Sequence, residues 1–557
     1  MLAEHLWTAA SSAPLPVSGD ERHAGSRCRF AYARSARRPA VTDLQRIRML
    51  STVGLIAFAL RLLNTQALLE DPLFYNPLGG NVPYLEMAER IAGGDWAPDG
   101  AFTVNSPLYA YLVALVFKIW GVGSLYAVRL LGAVADAGTC VLVALLAARH
   151  FGVVAGWAAG LLLAVYGPAI FFAGELAPVP FTLLLLTAGV ALVDGGTRMR
   201  TFLLAGLVLG LATGMRPNLL IAGLLALGVP WARGLPSAQR LMGALALGLV
   251  LGVAPVTLMN AAGSGGFTLL TLSGGHNLYI GHNPRAEAQY ALPSDLDGDI
   301  FESMRVLAEE VEGRPFTPGE VSGYYGRRAI AYALTHPVQE VKLTVRRALL
   351  LLNDFEATTY ASLDYQRHYS PLLRWTPTFA WLFALSAPGM LIARDRRRWH
   401  LWIPLVSAAV TVLSFFYIAR LRVVMVPALA IFAGAAVARG WTLAQTRSWG
   451  SLTRGAALAA VGFGIASLPL LTADTSNDWN KAGGTLRLMG RYDDAESALG
   501  RARIANPNNP STYMNLAALY RQTGRAPEAS EAEAQARALM SGTADDMAGF
   551  REGVQGR

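Results

Sequence analysis

Long apolar segments recur along most of this chain, and they constrain its fold more than any motif does. A helix of about 17–25 residues spans the hydrocarbon core of a bilayer. Of the residues here, 53% are hydrophobic and only 15% are charged, so the pattern predicts an all-α polytopic membrane protein. Nine segments have roughly the required length: 50–69, 125–148, 151–173, 176–193, 239–262, 376–393, 401–419, 423–438 and 454–471.

Two other segments allow alternatives. Residues 107–120 are amphipathic enough to lie along the membrane surface. Residues 201–231 form either one span or a hairpin broken at Met215-Arg216-Pro217-Asn218. Short loops rich in Lys and Arg stay in the cytoplasm, which favours a surface helix and a hairpin. The prediction is then about eleven spans, a cytoplasmic N-terminus and an extracytoplasmic C-terminus, with these basic clusters inside: 149, 198–200, 233–240, 394–398 and 439–447.

The formal net charge of +9 is accounted for by these inside loops and predicts no nucleic-acid partner. Residues 1–48 are rich in Arg, Ser, Ala and Pro and lack the apolar core of a secretory signal, so they are expected to form a disordered basic arm in the cytoplasm. Met49 is an alternative first residue. Cys28 in the arm and Cys140 in a span cannot meet, so no disulfide framework is predicted.

Three bodies of chain are predicted outside the membrane, the first two of them loops of a transmembrane domain of residues 49–471. They are the first loop, 70–120, a large loop, 263–375, and residues 472–545, which precede a tail at 546–557. In the third body Gly490 and Gly524 are 34 residues apart, as are other small residues further on. This period is typical of tetratricopeptide repeats. Two repeats are too few for a free solenoid, so we expect them to lean on the membrane domain or on a partner protein.

Five segments resemble one known family, in the order that the family has them. They are the loop of residues 62–121, AVYGPAIFFAGEL at 164–176, GMRPN at 214–218, TLSGGHNLYIGHNP at 271–284 and YIARLRVVMVP at 417–427. Together they are similar to the protein O-mannosyltransferase-like (ArnT-like) branch of the GT-C superfamily of membrane glycosyltransferases. Bacterial members of this branch often end in tetratricopeptide repeats.

The resemblance implies a reaction in the bacterial inner membrane. A sugar would pass, with inversion, from a polyprenyl-phosphate donor to an acceptor hydroxyl of a protein, lipid or glycan on the extracytoplasmic face. An acidic side chain in the first loop would act as base, and cationic groups would hold the leaving phosphate. No nucleotide or other cofactor is implied with certainty, and a divalent metal is left open. The protein is expected to be embedded in membrane lipid and to contact it.

The position of the base departs from the family. Its members usually have an aspartate three or four residues before the tyrosine that matches Tyr84, and this chain has Asn81 and Gly80 there. Neither side chain can serve as a general base. The substitutes are Glu86, Asp71 and Glu175, each with a plain structural alternative: a solvated helix face, a turn residue and a boundary residue, respectively.

Three arginines are candidates for the donor phosphate: Arg420, Arg422 and Arg216, all at the predicted outer boundary. Guanidinium groups grip phosphate oxygens in a bidentate fork, although interfacial snorkelling would also place arginines there. Candidates for sugar or acceptor contacts are Asn81, Tyr84, His276, Asn277 and Glu356. No metal site is predicted at His276 and His282, since no carboxylate stands at ligand spacing.

A helix at 338–352 is predicted to lie on the outer leaflet. Lys342, Arg346 and Arg347 fall on its basic face, and Val341 and Val345 belong to the opposite one.

Three classes of function fit these observations. The first is an active glycosyltransferase, and the second is a relative without catalysis that binds lipid-linked sugar or serves as an assembly subunit through its repeats. The third is a transporter, which would have ionisable residues at mid-membrane. Such residues are few in the predicted spans, with Asp136 and Arg129 the chief examples, which disfavours the third class.

Overall fold

The computed structural model describes residues 43–77, 81–96, 106–264, 268–291, 300–357, 360–472 and 474–555. The described chain is helical and contains no strand; a single bridge pairs Gln289 with Tyr417. The predicted all-α class is therefore confirmed. Most of the predicted basic arm, residues 1–42, lies outside the described residues, as does Gly80.

Among the described residues, eleven α-helices precede the large loop. In chain order they are α1 Asp43–Ala67, α2 Val82–Ala92, α3 Pro107–Trp120, α4 Leu125–Phe151, α5 Val153–Val165, α6 Gly167–Gly174, α7 Val179–Gly195, α8 Met199–Met215, α9 Leu220–Leu227, α10 Val229–Ala232 and α11 Ala238–Ser264.

The described part of the remaining chain adds fifteen α-helices. The large loop holds α12 Gly274–Gly281, α13 Ile300–Glu312, α14 Pro318–Thr335, α15 Pro337–Leu351, α16 Leu363–Tyr369 and α17 Pro371–Arg374. The chain then returns to apolar helices: α18 Phe379–Ile392, α19 Ile403–Ser414, α20 Ala419–Arg422, α21 Val426–Gln445 and α22 Trp449–Ala466. It ends with α23 Ser476–Leu488, α24 Tyr492–Ala505, α25 Pro510–Gln522 and α26 Ala526–Gln555.

Four stretches among the described residues are long and apolar enough to cross a membrane: Asp43–Glu70, Leu125–Phe151, Ala238–Ala262 and Ala419–Gln445. The pair α5 and α6 makes a fifth if its 54° bend lies within one span. The other apolar helices, such as Val179–Gly195 and Phe379–Ile392, are shorter than 18 residues. The chain is therefore a membrane protein, while the predicted count of about eleven spans is not confirmed.

The bend between α5 and α6 has a covalent cause. Pro168 has no N–H, so the carbonyl of Ala164 lacks its helical partner. Arg61 of α1 donates to that carbonyl instead, and also to the carbonyl of Leu163 at 3.2 Å. The same guanidinium pairs with Asp136 of α4, with 2.7 Å between Nε and Oδ2. Asp136 therefore has a structural partner, which removes one of the two residues that a transporter would need.

The segment at 201–231 is broken at the position where the hairpin alternative places its turn. Helix α8 ends at Met215, and the chain turns at Arg216 before α9. Both arms pack against the same residue of α11: a Cβ added to Gly210 would lie 2.5 Å from the carbonyl oxygen of Leu249, and one added to Gly223 would lie 2.8 Å from its Cδ1. Glycine at both positions allows the close approach.

The amphipathic helix α15 is only partly as predicted. Its apolar residues Val338, Val341 and Val345 are 70%, 64% and 55% exposed, as expected for a face turned to lipid. Arg347, however, is fully buried and donates to the carbonyls of Gly281 and Leu413. Assigning Arg347 to an exposed basic face was therefore wrong, because the loop around α12 covers it.

The last four helices pair as the repeat predicts. Gly490 and Gly524 adopt φ of 75° and 76° at equivalent turns, a conformation that favours glycine. A Cβ on Gly483 would lie 2.6 Å from Leu499, so the first two helices pack closely there. Helix α26 continues to Gln555, past the predicted domain boundary at residue 545.

Candidate functional site

A small polar cavity lies where the loop after α1 meets the C-terminal end of α6. Its volume of about 20 Å³ has room for one or two water molecules. The apolar part of its wall includes Leu68, Phe74 and Ala361. Three predicted site residues, Asp71, Asn81 and Glu175, form part of its polar lining. Arg129 and Gln366, which were not predicted for the site, complete that lining.

Glu175 lies directly after α6, between two apolar segments, and is 9% exposed. The amide nitrogen of Asn81 is 3.2 Å from its Oε2, and that of Gln366 is 2.5 Å from its Oε1. Burial raises the pKa of Glu175 to about 7, against the opposing effects of Arg129 and the two amides. A carboxyl group with this pKa can exchange a proton at neutral pH, as a general base requires.

Asp71 ends the short helical turn after α1 and is 4% exposed. Its Oδ1 accepts from the backbone N–H of Leu73 at 2.9 Å and from the hydroxyl of Tyr365 at 2.7 Å. Burial raises the pKa of Asp71 to about 6 despite these donors. The first contact is that of a turn residue, so the structural alternative holds for Asp71 while its side chain also lines the cavity.

Arg129 of α4 provides the positive charge beside both carboxylates. Its Nε donates to the carbonyl of Gly174 at 2.9 Å and its Nη2 to that of Phe74 at 2.8 Å, while its guanidinium lies 3.8 Å from the ring centroid of Phe74. It thus holds the backbone next to Glu175 and the turn after Asp71. The sequence marked Arg129 only as an ionisable residue in a span, which was the signal that could have identified it.

Three buried polar atoms around this cavity have no hydrogen-bond partner among the described residues. They are Oδ1 of Asn81, Nη1 of Arg129 and Oε1 of Gln366. Buried polar atoms are normally paired, so the cavity is suited to a polar guest such as a hydroxyl group or water. A divalent metal, which the sequence left open, would compete with Arg129 for the two carboxylates.

A cationic pair forms a second part of the site. Nη1 of Arg216 donates to the carbonyl of Arg420, and Nη1 of Arg420 lies 3.5 Å from the hydroxyl of Tyr360. Tyr84 lies within electrostatic range of both guanidiniums. Tyr84 connects this pair to the cavity region, since its ring centroid is 5.3 Å from that of Tyr109, a buried neighbour within range of Glu175.

Arg422 and Glu356 form an ion pair with each other and do not line the first cavity. Arg422 is 1% exposed, pairs with the carboxylate of Glu356 and donates to the carbonyl of Asn353. Its guanidinium is also 4.0 Å from the ring centroid of Phe379. Glu356 lines a separate cavity of about 340 Å³ together with Arg367 and other residues of the large loop.

Glu86, His276 and Asn277, like Tyr84 and the three arginines predicted for the donor phosphate, line neither of the two cavities. Glu86 is exposed on α2, whereas its neighbours Tyr84 and Leu85 are buried. His276 is buried in the core of the large loop, with its ring centroid 5.7 Å from that of Tyr325. Asn277 is half-buried next to it on α12.

The repeats contact the membrane domain through α16. The carboxylate of Asp478 accepts from the N–H and the hydroxyl of Ser362 at 3.0 and 2.5 Å. The ring of Trp479 lies 4.9 Å from that of Tyr365, centroid to centroid. The helix that the repeats touch therefore also supplies Tyr365 and Gln366, which hydrogen-bond the carboxylates of the cavity. No sequence signal identified these two residues.

Fold and cavity together define a helical membrane protein with a polar site at one end of its apolar helices and a docked repeat domain. A tetratricopeptide repeat family model matches residues 486–540, which confirms the predicted repeats. A search of curated proteins found no match to the sequence.

Two solved structures are similar to the chain. The Archaeoglobus fulgidus oligosaccharyltransferase in the apo form has a TM-score of 0.44 and 15% identity, over 81% of this chain and 60% of that one. ArnT from Cupriavidus metallidurans bound to undecaprenyl phosphate has a TM-score of 0.33 and 14% identity, over 73% of this chain and 80% of that one. The chain thus spans 60% of the length of the oligosaccharyltransferase.

Proposed function

We propose that this protein is a membrane glycosyltransferase that moves a sugar from a polyprenyl-phosphate donor to an acceptor hydroxyl on the extracytoplasmic face of the bacterial inner membrane. The observation that carries the proposal is the buried carboxylate of Glu175, which has a pKa of about 7 and shares a polar cavity with Arg129. The motifs that resemble GT-C enzymes supply the reaction class.

Glu175 acts as the base in this proposal. The acceptor hydroxyl transfers its proton to the carboxylate of Glu175 as its oxygen attacks the anomeric carbon of the sugar. The bond from that carbon to the phosphate oxygen breaks with inversion, and the polyprenyl phosphate leaves with its negative charge. Asn81 and Gln366 orient the carboxylate through their amide N–H groups. Asp71 stays the second candidate for the base.

Arg216 and Arg420 receive the leaving phosphate. Both lie near Tyr84 and Tyr360, and Arg216 is already held in place through the carbonyl of Arg420. Fixed guanidinium groups stabilise charge that develops on a leaving phosphate. Arg422 is not assigned to the leaving phosphate, because its guanidinium is paired with the carboxylate of Glu356.

The asparagine that replaces the family's aspartate supports transfer of the role to a neighbour. An amide cannot accept the proton, but Asn81 donates directly to the carboxylate of Glu175. The base therefore lies one hydrogen bond away from the position where the family has it. This contact favours an active enzyme over a relative that only binds lipid-linked sugar.

The test is sugar transfer by the purified full chain in lipid vesicles, with a polyprenyl-phosphate sugar and an acceptor. Glu175→Gln should lower the rate about 10²–10⁴-fold, the usual range for general-base catalysis. Glu86→Gln is the matched control and should leave the rate unchanged, since Glu86 is exposed on another face. An active wild type whose rate is unaffected by Glu175→Gln would overturn this assignment. A wild type that binds the donor and turns over nothing would indicate the binding or assembly class.

A further inference from the structure

A second cluster of chemically active side chains lies apart from the outer cavity. His150 is in the last turn of α4, Asp194 is in the last turn of α7, and His400 lies in the helical turn Arg396–Trp402. The basic loops around these residues are predicted to face the cytoplasm, so the cluster is predicted on the side opposite to the sugar-transfer site. Three segments that are distant in sequence meet at this point.

The donor atoms of these residues lie at metal-binding distances from each other. Nε2 of His150 is 2.7 Å and Nε2 of His400 is 3.0 Å from the same oxygen, Oδ1 of Asp194. The three ligand atoms all lie within 4.8 Å of one another. Tetrahedral zinc with bonds of about 2.0 Å holds its donor atoms ~3.3 Å apart, so the observed range includes the required spacing.

His400 gives an independent reason to expect a guest. It is 1% exposed, and neither of its ring nitrogens makes a hydrogen bond of normal geometry with any described residue. Its Nε2 is close to Asp194 but not aligned with it. A buried polar group without a partner is unfavourable. An ion bound between the imidazole and the carboxylate of Asp194 would be a partner for Nε2 of His400.

We propose that His150, Asp194 and His400 bind one Zn²⁺ ion that joins α4, α7 and the turn Arg396–Trp402. Two imidazoles and one carboxylate suit zinc or another first-row transition ion, with water at the remaining position. Mg²⁺ and Ca²⁺ prefer oxygen ligands, of which this cluster offers one side chain. The site is structural and does not depend on the proposed transferase activity.

The neighbouring arginines modulate this site. Nη1 of Arg149 lies 3.3 Å from Oδ2 of Asp194, the carboxylate oxygen that the histidines do not approach. Arg233 adds a second positive charge, donating to the carbonyls of Val193 and Gly196. Both guanidiniums oppose a cation, and Arg149 also competes for the carboxylate. Arg149→Gln should therefore tighten zinc binding, which a simple hydrogen-bonded cluster would not do.

The experiment is titration of Zn²⁺ into the purified full chain in detergent after chelator treatment, read as bound metal per chain and as absorption of the Co²⁺ form. One ion per chain is expected in the wild type. His400→Gln and His150→Gln should each weaken binding by about tenfold or more, since losing even a group that hydrogen-bonds a metal ligand costs about 10–100-fold. His336→Gln, which changes an exposed histidine elsewhere, is the matched control and should bind as the wild type does.

Two outcomes would overturn the proposal. One is a wild type that retains no Zn²⁺ at equimolar ion, and the other is equal binding in the wild type and both histidine variants. If the histidine variants do not fold, Arg149→Gln decides, because the site requires its affinity to exceed that of the wild type. An Arg149→Gln protein with unchanged or weaker binding would reject the site.

Discussion

The hydroxyl of Tyr365 donates to the carboxylate of Asp71 across 2.7 Å. The ring of Tyr365 also contacts Trp479 of the first repeat helix, with 4.9 Å between the two centroids. The residue after Tyr365, Gln366, donates to Glu175. Helix α16 thus carries one contact to each carboxylate of the cavity and is itself covered by the repeats. The repeat domain is therefore in a position to hold the candidate site in shape.

Removal of this contact should slow sugar transfer. We expect Trp479→Ala to lower the rate about 2–10-fold, because an aromatic pair contributes about 0.5–1.5 kcal/mol and its loss frees α16 to shift. The measurement is the initial rate at saturating donor. Trp441→Ala is the control, since Trp441 is 60% exposed and far along the chain from α16. Equal rates in Trp479→Ala and wild type would mean that the docked repeats do not support the cavity.

The rate of transfer should depend on pH through Glu175. Because burial raises its pKa to about 7, the rate should rise with pH and level off above about 7. Gln366→Leu removes a donor that favours the charged form, so it should move this limb to higher pH. The stability effect has the opposite sign: the contribution of protonated Glu175 is complete below about pH 4.5 and is lost as pH rises through about 7.

The pH profile also identifies the base. A limb near pH 6 that disappears in Asp71→Asn would assign the role to Asp71, whose pKa is raised to about 6. A limb near 7 that survives in Asp71→Asn supports Glu175. Rates at each pH should be measured at saturating donor, with thermal stability of every variant checked over the same range.

The arginines should separate into two kinds. Arg216→Ala and Arg420→Ala should each weaken binding of a polyprenyl-phosphate sugar about 10–100-fold, since a charge-assisted contact contributes about 1.5–3 kcal/mol. Arg422→Ala should instead lower stability by about 3–5 kcal/mol, because it leaves Glu356 buried without its partner. Donor binding and the unfolding midpoint, measured on all three variants, test both statements. Unchanged donor binding in the first two variants would leave them as snorkelling residues.

Membrane orientation can be tested without any enzyme assay. A reporter fused after Arg557 should lie outside the cytoplasm, and one fused at Arg397 should lie inside, since Arg397 belongs to a basic loop. Either fusion with the opposite location would change the span count and place the cavity on the other face. This prediction rests on the charge of the loops alone.

Position along the chain marked two of the residues that line the cavity. Asp71 and Glu175 were identified because each follows an apolar segment directly, and the structure brings both into one cavity. Glu86 was predicted for its closeness to Tyr84. Two residues along a helix correspond to a rotation of about 200°, which puts Glu86 on the exposed face when Tyr84 is buried.

Other features depend on contacts that a single sequence does not encode locally. Gln366 is an ordinary polar residue until α16 packs beside Glu175. Arg422 and Arg420 are two residues apart in one short helix, yet one is paired inside the protein and the other borders Tyr360. The bend at Pro168 was hidden because the apolar run continues through it, although proline in the run was a local indication.

The replacement of Asn81 by aspartate is the variant that distinguishes an active enzyme from a relic. In the wild type the amide of Asn81 donates to Glu175 at 3.2 Å. Asn81→Asp puts a second carboxylate at that contact, and two such groups tend to share one proton, which raises the pKa of the pair's second step. If Glu175 is the base, the variant should be slower than wild type at pH 7 and recover at higher pH.

The opposite result would follow if catalysis had been lost with the family's aspartate. Asn81→Asp would then create or increase transfer at pH 7, from a wild type with negligible turnover that Glu175→Ala leaves unchanged. We expect the first result, because the cavity retains two buried carboxylates and Arg129, and the amide of Asn81 is hydrogen-bonded to Glu175. Asn81→Ala serves as the control: it removes the donor without adding charge, so it should shift the pH limb upward by less than Asn81→Asp does.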